Sequence, residues 1–454
     1  MKPDLDLIVR GGTIVTPAGL QVADLAVAHG RIVKIAPEIA DAAATTLEAG
    51  GRYVFPGSID AHVRFSEPGH TDWEGIAAES AALAAGGGTC FFDMPHDSEP
   101  PVLDAARLRE KRALAEEKSC VDFALWGGLT PRNLDQLAAL RDAGAIGLKA
   151  FLGTSGVDGF PGVDAGVLRE GMKRAARLGL LVAVQAEDAV LAAKFTAGQK
   201  AKGRTTAKAW LDARPVEVEL AAIRVALELA GETECALHLL QVSSPEGLAL
   251  VDEARAQRVD VTAETCPHYL LLNDRDVARI GAPARCVPPI RDEKRRIELW
   301  ADLRGGRIHT LASGHSPVPP DRNTPDNFFD LPGGIAGVQH GFQLMLSEAA
   351  ASIEKDLPVL AAVLARNVAR RFRLEGRKGL LAAGREADFT IVEFGPARTI
   401  AADELWTWHR VSAYVGRRSK ARVTDTYVRG NAIYAAGRLV NLPPRGRFLT
   451  PEKA

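Results

Sequence analysis

The sequence predicts an α/β chain: a (β/α)8 barrel carrying a small β-sandwich formed by both chain ends. Three observations carry this. Apolar runs alternate with helical periodicity through the middle of the chain, eight such runs can be counted, and both ends show strand patterning without helices.

In order, residues 5–50 read as strands. "LDLIVRGGTIVTPAG" gives two short strands around Gly11-Gly12, and "VADLAVAHGRIVKIAP" a hairpin around His29-Gly30. The eight apolar runs follow: "YVFPGSIDAHV", "GTCFFDM", "VDFALWGG", "AIGLKAF", "LLVAVQA", "CALHLLQV", "VDVTAET" and "IHTLASG". Between them lie helical patterns such as "DWEGIAAESAALAAGG", "VLREGMKRAARLG" and "EVELAAIRVALELAG". Strand character returns in "ADFTIVEF" and "KARVTDTYVRGNAIYAAGRLV". The expected division is a barrel over residues 52–384 and a composite sandwich of residues 1–51 and 385–454.

Composition narrows the function. The 454 residues are 46% hydrophobic and 25% charged, with a formal net charge of −1. That is a soluble globular balance with no basic excess for nucleic acid or an anionic membrane. No apolar run reaches about 18 residues, so no membrane span is expected. The start, "MKPDLDLIVRGGTIV", does not read as a signal peptide. Five scattered cysteines without a CxxC read as reduced thiols, and a cytoplasmic location is expected.

Barrel active sites gather at the C-terminal ends of the strands. His62 and Arg64 close the first run and Asp93 the second. Lys149 lies near the end of the fourth, Gln185 ends the fifth, Gln241 the sixth and Glu264 the seventh, and Gly314-His315 end the eighth. His62 and Arg64 are two residues apart and share a strand face. A second histidine there would make half a metal site, whereas arginine has no lone pair to offer. His238, three residues before Gln241, is expected to pack on the other face, and His96, in the loop after the second run, to be solvated.

The stretches "SEPG", "WEG", "DMP", "GLKAF", "ARPVEVELAAI", "VSSPEG", "CPHY", "PPIRD", "HSPVPP", "GGIAGVQ" and "SAYVGR" occur in this order along the chain. By them it resembles the cyclic amidohydrolase family of dihydroorotases, hydantoinases and allantoinases, the allantoinase branch above all. The resemblance implies an amidohydrolase-type barrel holding two zinc-like divalent ions. In that family the ligands are the histidines of an HxH on strand one, a carbamylated lysine on strand four, one histidine each on strands five and six, and an aspartate on strand eight. The aspartate doubles as general base, and a metal-bridging hydroxide attacks a ring amide.

Carried over residue by residue, His62 matches the first histidine and Lys149 the lysine. Arg64, Gln185, Gln241 and Gly314 stand where histidine, histidine, histidine and aspartate are usual, so four of six positions differ. Arginine repels a cation, glutamine offers a weak neutral carbonyl, and glycine offers no side chain. The expectation is therefore no cofactor and no metal, with His62 and Lys149 vestigial and conventional cyclic-amide hydrolysis lost. A small-molecule pocket or a partner role would remain. Arg64 would supply a fixed cation in the vacated site, paired with Asp93, Glu187 or a ligand.

The alternative is an active amidohydrolase opening a cyclic ureide (allantoin, hydantoin or dihydroorotate-like) at a non-standard or metal-free site. Lys149, His62 and His315 would then move protons and Arg64 would polarise a carbonyl. Substrate contacts are expected from Arg64, Thr154, Ser155, Pro289, Arg291, Gln185 and Gln241. His268 in "CPHY" and His315 match family positions near the pocket that are not metal ligands. The expected partner is a small cyclic ureide or amide, with neither nucleic acid nor membrane. The family's habit implies a homo-oligomer, dimer or tetramer, or a hetero-oligomer with an active relative.

Overall fold

The computed structural model describes residues 4–323, 326–440 and 443–452. The N-terminal strands are β1 (Leu5–Thr16), β2 (Gly19–Ala28), β3 (Arg31–Ala36), β4 (Ala43–Glu48) and β5 (Tyr53–Pro56). The barrel strands follow as β6 (Ser58–Val63), β7 (Gly88–Asp93), β8 (Asp122–Leu125), β9 (Gly127–Gly128), β10 (Leu148–Leu152), β11 (Val182–Ala186), β12 (Leu237–Leu240), β13 (Val261–Thr265) and β14 (Thr310–Leu311). The chain ends with β15 (Phe389–Thr399), β16 (Arg418–Val428), β17 (Asn431–Ala435) and β18 (Arg438–Leu439).

Both chain ends share one nine-stranded sheet, ordered β18-β17-β16-β15-β5-β1-β2-β3, with β4 also paired to β1. The run "YVFPGSIDAHV" is therefore two strands, not one. Its first half, β5, pairs antiparallel with β15, and its second half, β6, pairs parallel with β7. Gly57 marks the turn between them, because a Cβ there would lie 2.2 Å from the Thr89 hydroxyl.

The barrel strands are parallel, as expected of strands joined by helices. Trp126 separates β8 from β9, and its buried indole donates to the Ala61 carbonyl at 3.0 Å. The ring closes where the Arg64 amide donates to the His315 carbonyl at 2.9 Å. The eighth run is shorter as a strand than its sequence suggests. Pairing with β13 ends at Leu311, and the chain then bends through Gly314, at φ 59°, before His315 bridges to Val63.

Helices cover the barrel with apolar faces. In Val216–Thr233, residues Val218, Ala222, Ile223, Ala226, Leu227, Leu229 and Ala230 are buried, the stripe of an amphipathic helix. No helix among the described residues is long and apolar enough to cross a membrane. All five cysteines are free.

Candidate active site

At the C-terminal mouth of the barrel, His62 is the penultimate residue of β6 and is buried. Its Nδ1 lies 2.8 Å from Oε1 of Glu264 on β13. Burial, then the charges of Lys149 and Arg64, push the imidazole well below its usual pKa. A neutral His62 thus donates to the carboxylate. The second Glu264 oxygen faces His238 Nε2 at 3.6 Å, and His238 Nδ1 meets the Thr262 hydroxyl at 2.7 Å. His238 is packed, as its position in the strand suggests.

Arg64 takes neither of the carboxylates named for it. Its guanidinium forks onto Asp97, with Nη2 at 2.6 Å from Oδ1 and Nε on Oδ2, while Nη1 donates to Ser316 at 2.8 Å. Asp93 is held by Lys111 at 2.9 Å and Glu187 by Arg214 at 3.2 Å. Burial raises the Asp97 carboxyl, but the Arg64 guanidinium outweighs it and holds the pKa near about 2. The cation of Arg64 is thereby neutralised within the protein. The Asp97 loop folds inward and takes His96 with it. His96 is 2% exposed, its ring 4.9 Å from that of Phe151, which corrects the solvated position expected of it.

Lys149 is the second residue of β10, nearer its start than the sequence suggests, and is wholly buried. Nζ donates to Gln185 Oε1 at 3.2 Å and stands 4.0 Å over the Phe151 ring. Burial drives its pKa well down, against the opposing pull of Glu264, and the Arg64 charge adds to the shift. Gln185 passes the chain of bonds on, donating to the Val287 carbonyl at 2.7 Å.

Gln241 follows β12 at φ 54° and is buried. It is fitted to Gly314: a Cβ at 314 would stand 2.7 Å from Gln241 Nε2 and 2.9 Å from Cys266 Sγ. Gly314→Asp alone is expected to destabilise the protein by about 2–4 kcal/mol, from overpacking and a side chain at positive φ. Urea unfolding would show it, and an unchanged midpoint would refute the fit. The buried His268 lies beside the same spot, its Cε1 3.3 Å from that Cβ point. Neither of its ring nitrogens has a hydrogen-bond partner. Burial, then the His62 charge, brings its pKa down to about 3, so it presents one donor and one acceptor.

The remaining expected residues have other commitments. His315 Nδ1 accepts from the amides of Gly337 and Val338, at 3.1 and 3.3 Å. Nε2 therefore carries the hydrogen and faces Glu79, which with Glu74 forms a buried acidic group. Arg291 donates to Ser243, Glu219 and the Arg214 carbonyl at 2.6–3.1 Å. Thr154 is exposed, Ser155 donates to the Phe160 carbonyl at 2.5 Å, and Pro289 is buried. The structure thus gathers His62, Arg64, Lys149, Gln185, Gln241 and Gly314, and adds Asp97, Glu264 and His268 around them.

These residues do not fit a two-metal centre. Arg64 is paired with Asp97 where the resemblance implies a histidine ligand, Lys149 donates to Gln185, and Gln241 takes the space an aspartate at 314 would need. Two other groups bring three donors together among the described residues, Glu74–Glu79–His315 and Asp122–Glu386–Asp388. In the first, the hydrogen on His315 Nε2 occupies the lone-pair direction; in the second, the Lys378 ammonium already sits on all three carboxylates.

No family model matches the chain. Full-length similarity is extensive nonetheless. The chain is 46% identical over 448 residues to an allantoinase of Deinococcus radiodurans, covering 99% of each. It is 43% identical to an allantoinase of Solibacter usitatus, covering 98% of this chain and 97% of that one. Among solved structures, L-hydantoinase (dihydropyrimidinase) from Arthrobacter aurescens superposes with a TM-score of 0.95 at 30% identity, over 98% of this chain and all of that one. A D-hydantoinase gives a TM-score of 0.91 at 29% identity, over 99% of each.

This likeness overturns one expectation, that of no cofactor. The resemblance to allantoinases and hydantoinases implies two zinc-like ions, so a metal cofactor is what the kinship leads one to expect, although Arg64, Gln185, Gln241 and Gly314 offer it no imidazole or carboxylate. With a barrel of the same architecture and 40–46% identity to allantoinases along its whole length, the chain belongs to the cyclic amidohydrolase family.

Proposed function

We propose that this protein takes a small cyclic ureide or amide at the C-terminal mouth of its barrel and hydrolyses it far more slowly than its allantoinase relatives do. The carrying observation is His268, buried, neutral and without a partner for either ring nitrogen, beside Gln241 and Gly314. Buried polar groups left unsatisfied are costly, and a polar ligand relieves the cost. A ureide ring alternates N–H donors with carbonyl acceptors. It is the kind of ligand that a neutral imidazole and the Gln241 amide can bind. The allantoinase relatives support the ligand class. The ligand positions support the second half, since Arg64, Gln185, Gln241 and Gly314 supply no imidazole or carboxylate.

The test uses full-length protein from zinc- and manganese-supplemented culture, with metal content measured alongside. Calorimetry should give allantoin or hydantoin a Kd below about 1 mM, weakened about tenfold by His268→Ala. Ring opening should run about a thousandfold slower than in an allantoinase assayed beside it. Two metals per chain with turnover at the relative's rate would refute the proposal. Turnover that persists in chelator would favour the alternative, with Lys149 moving the proton.

A further inference from the structure

A second cavity, of about 340 Å³, opens at the opposite, N-terminal end of the barrel. Asp260 immediately precedes β13 and His309 immediately precedes β14, and both line it. Arg255, from the helix Pro245–Ala256, and Arg370 and Arg371, from Asn367–Arg371, complete the wall with Thr262, Thr310 and Asn367. Three guanidinium groups therefore face one carboxylate. That carboxylate, Asp260, is largely exposed and already engaged by Arg371 Nη1 at 2.5 Å.

Two of the three arginines are anchored. Arg255 Nη1 donates to the Val261 carbonyl at 2.8 Å and Arg371 Nη2 to the Leu237 carbonyl at 2.6 Å. Two donors on the wall remain without partners: Arg371 Nε and the hydroxyl of Thr310, which is wholly buried. His309 adds a third. Its Nδ1 accepts from the Ala263 amide at 3.2 Å, so Nε2 carries the hydrogen. Donors fixed by the fold, a net positive charge and little competing acceptor are what recognises an oxyanion. The volume lies toward the small end of ligand pockets, which run from about 300 to 1,000 Å³.

We propose that this cavity binds a small molecule bearing an oxyanion, a carboxylate or a phosphate, at a site separate from the barrel mouth. The end of the barrel opposite the catalytic loops commonly serves stability alone. Unpaired buried donors around an open cavity are not needed for that purpose. This inference does not depend on what the mouth of the barrel binds.

Calorimetry on the full-length protein with inorganic phosphate and, separately, malonate tests it. At least one probe should bind with a Kd below about 1 mM. Phosphate alone assigns a phosphate ligand, malonate alone a carboxylate, and both a general oxyanion site. Arg370→Glu should weaken binding about tenfold, and Thr310→Val, which removes an unbonded hydroxyl and should leave the fold intact, about threefold. Arg224→Glu, an equal charge change on the exposed face of a different helix, should alter it less than about twofold. The proposal is overturned if neither probe binds at about 20 mM, if Arg370→Glu and Arg224→Glu weaken binding equally, or if binding survives Thr310→Val and Arg370→Glu unchanged.

Discussion

Changing Arg64→His, Gln185→His, Gln241→His and Gly314→Asp together is expected to raise allantoin hydrolysis by about a thousandfold or more over the parent chain. The measurement is kcat/KM on protein loaded with zinc or manganese. The reasoning is local. His62 and Lys149 match two family ligands by the sequence resemblance, and the barrel that holds them superposes closely on a hydantoinase. The four changes supply three imidazoles and a carboxylate, and remove a permanent cation from the site. Residues that act as a unit lose function together and should regain it together, so no single change is expected to rise above the parent.

The contacts dictate how the set must be built. Gly314→Asp needs Gln241→His with it, because the Gln241 amide sits 2.7 Å from where the new Cβ would go. The pair should be more stable than the sum of the single changes by about 0.5–3 kcal/mol. Arg64→His strands Asp97, whose carboxylate is nearly buried and is held ionised by that guanidinium. Asp97→Asn, of equal size and no charge, removes the difficulty and belongs in the set. A folded, metal-loaded revertant no faster than the parent would mean that the four substitutions are not what separates this site from its relatives.

Much of the architecture was legible because burial is written in local patterns. Strands buried on both faces appear as short apolar runs, and the runs at β7, β10, β11, β12 and β13 were readable for that reason. The division of Tyr53–Val63 at Gly57 was not readable, since both halves are apolar and only the approach of Thr89 shows where the chain must turn. The site was legible in its residue types but not in its pairings. Arg64 and Asp97 are 33 positions apart, and no periodicity selects Asp97 over Asp93. The selection comes from Lys111, whose amine claims Asp93 from a neighbouring helix. His96 looked solvated because its loop is polar, yet that loop is drawn inward by the Arg64 ion pair. The unpartnered nitrogens of His268 are a property of three-dimensional neighbours and left no trace in the sequence beyond the motif "CPHY".

Lys378→Met is expected to cost about 3–5 kcal/mol at pH 8, the largest stability effect anticipated for a single side chain here. Lys378 is fully buried where the barrel meets the terminal sheet. Its ammonium bonds Asp122 at 2.5 Å, Glu386 at 2.7 Å and Asp388. Asp122 opens β8 in the barrel, while Asp388 directly precedes β15 in the sheet. Arg429 bonds Asp122, and Arg377 reaches Glu386 at 2.9 Å. Two arginines then remain for three carboxylates, and methionine fills the volume without the charge. Burial lowers the lysine's pKa, but the three carboxylates outweigh it and raise the value above its ordinary range. A raised folded pKa contributes stability that is complete below the unfolded value, so the parent should show no loss from this group anywhere near neutrality. The variant should behave differently. Without the ammonium, burial raises the carboxyl of Asp388 further, and a proton taken up as pH falls replaces the missing cation. Its deficit should therefore shrink between pH 8 and pH 5, read as the separation of urea midpoints by tryptophan fluorescence. A deficit below about 0.5 kcal/mol at pH 8 would show that the arginines alone hold the junction. A deficit independent of pH would show that packing, not charge, is what the lysine supplies.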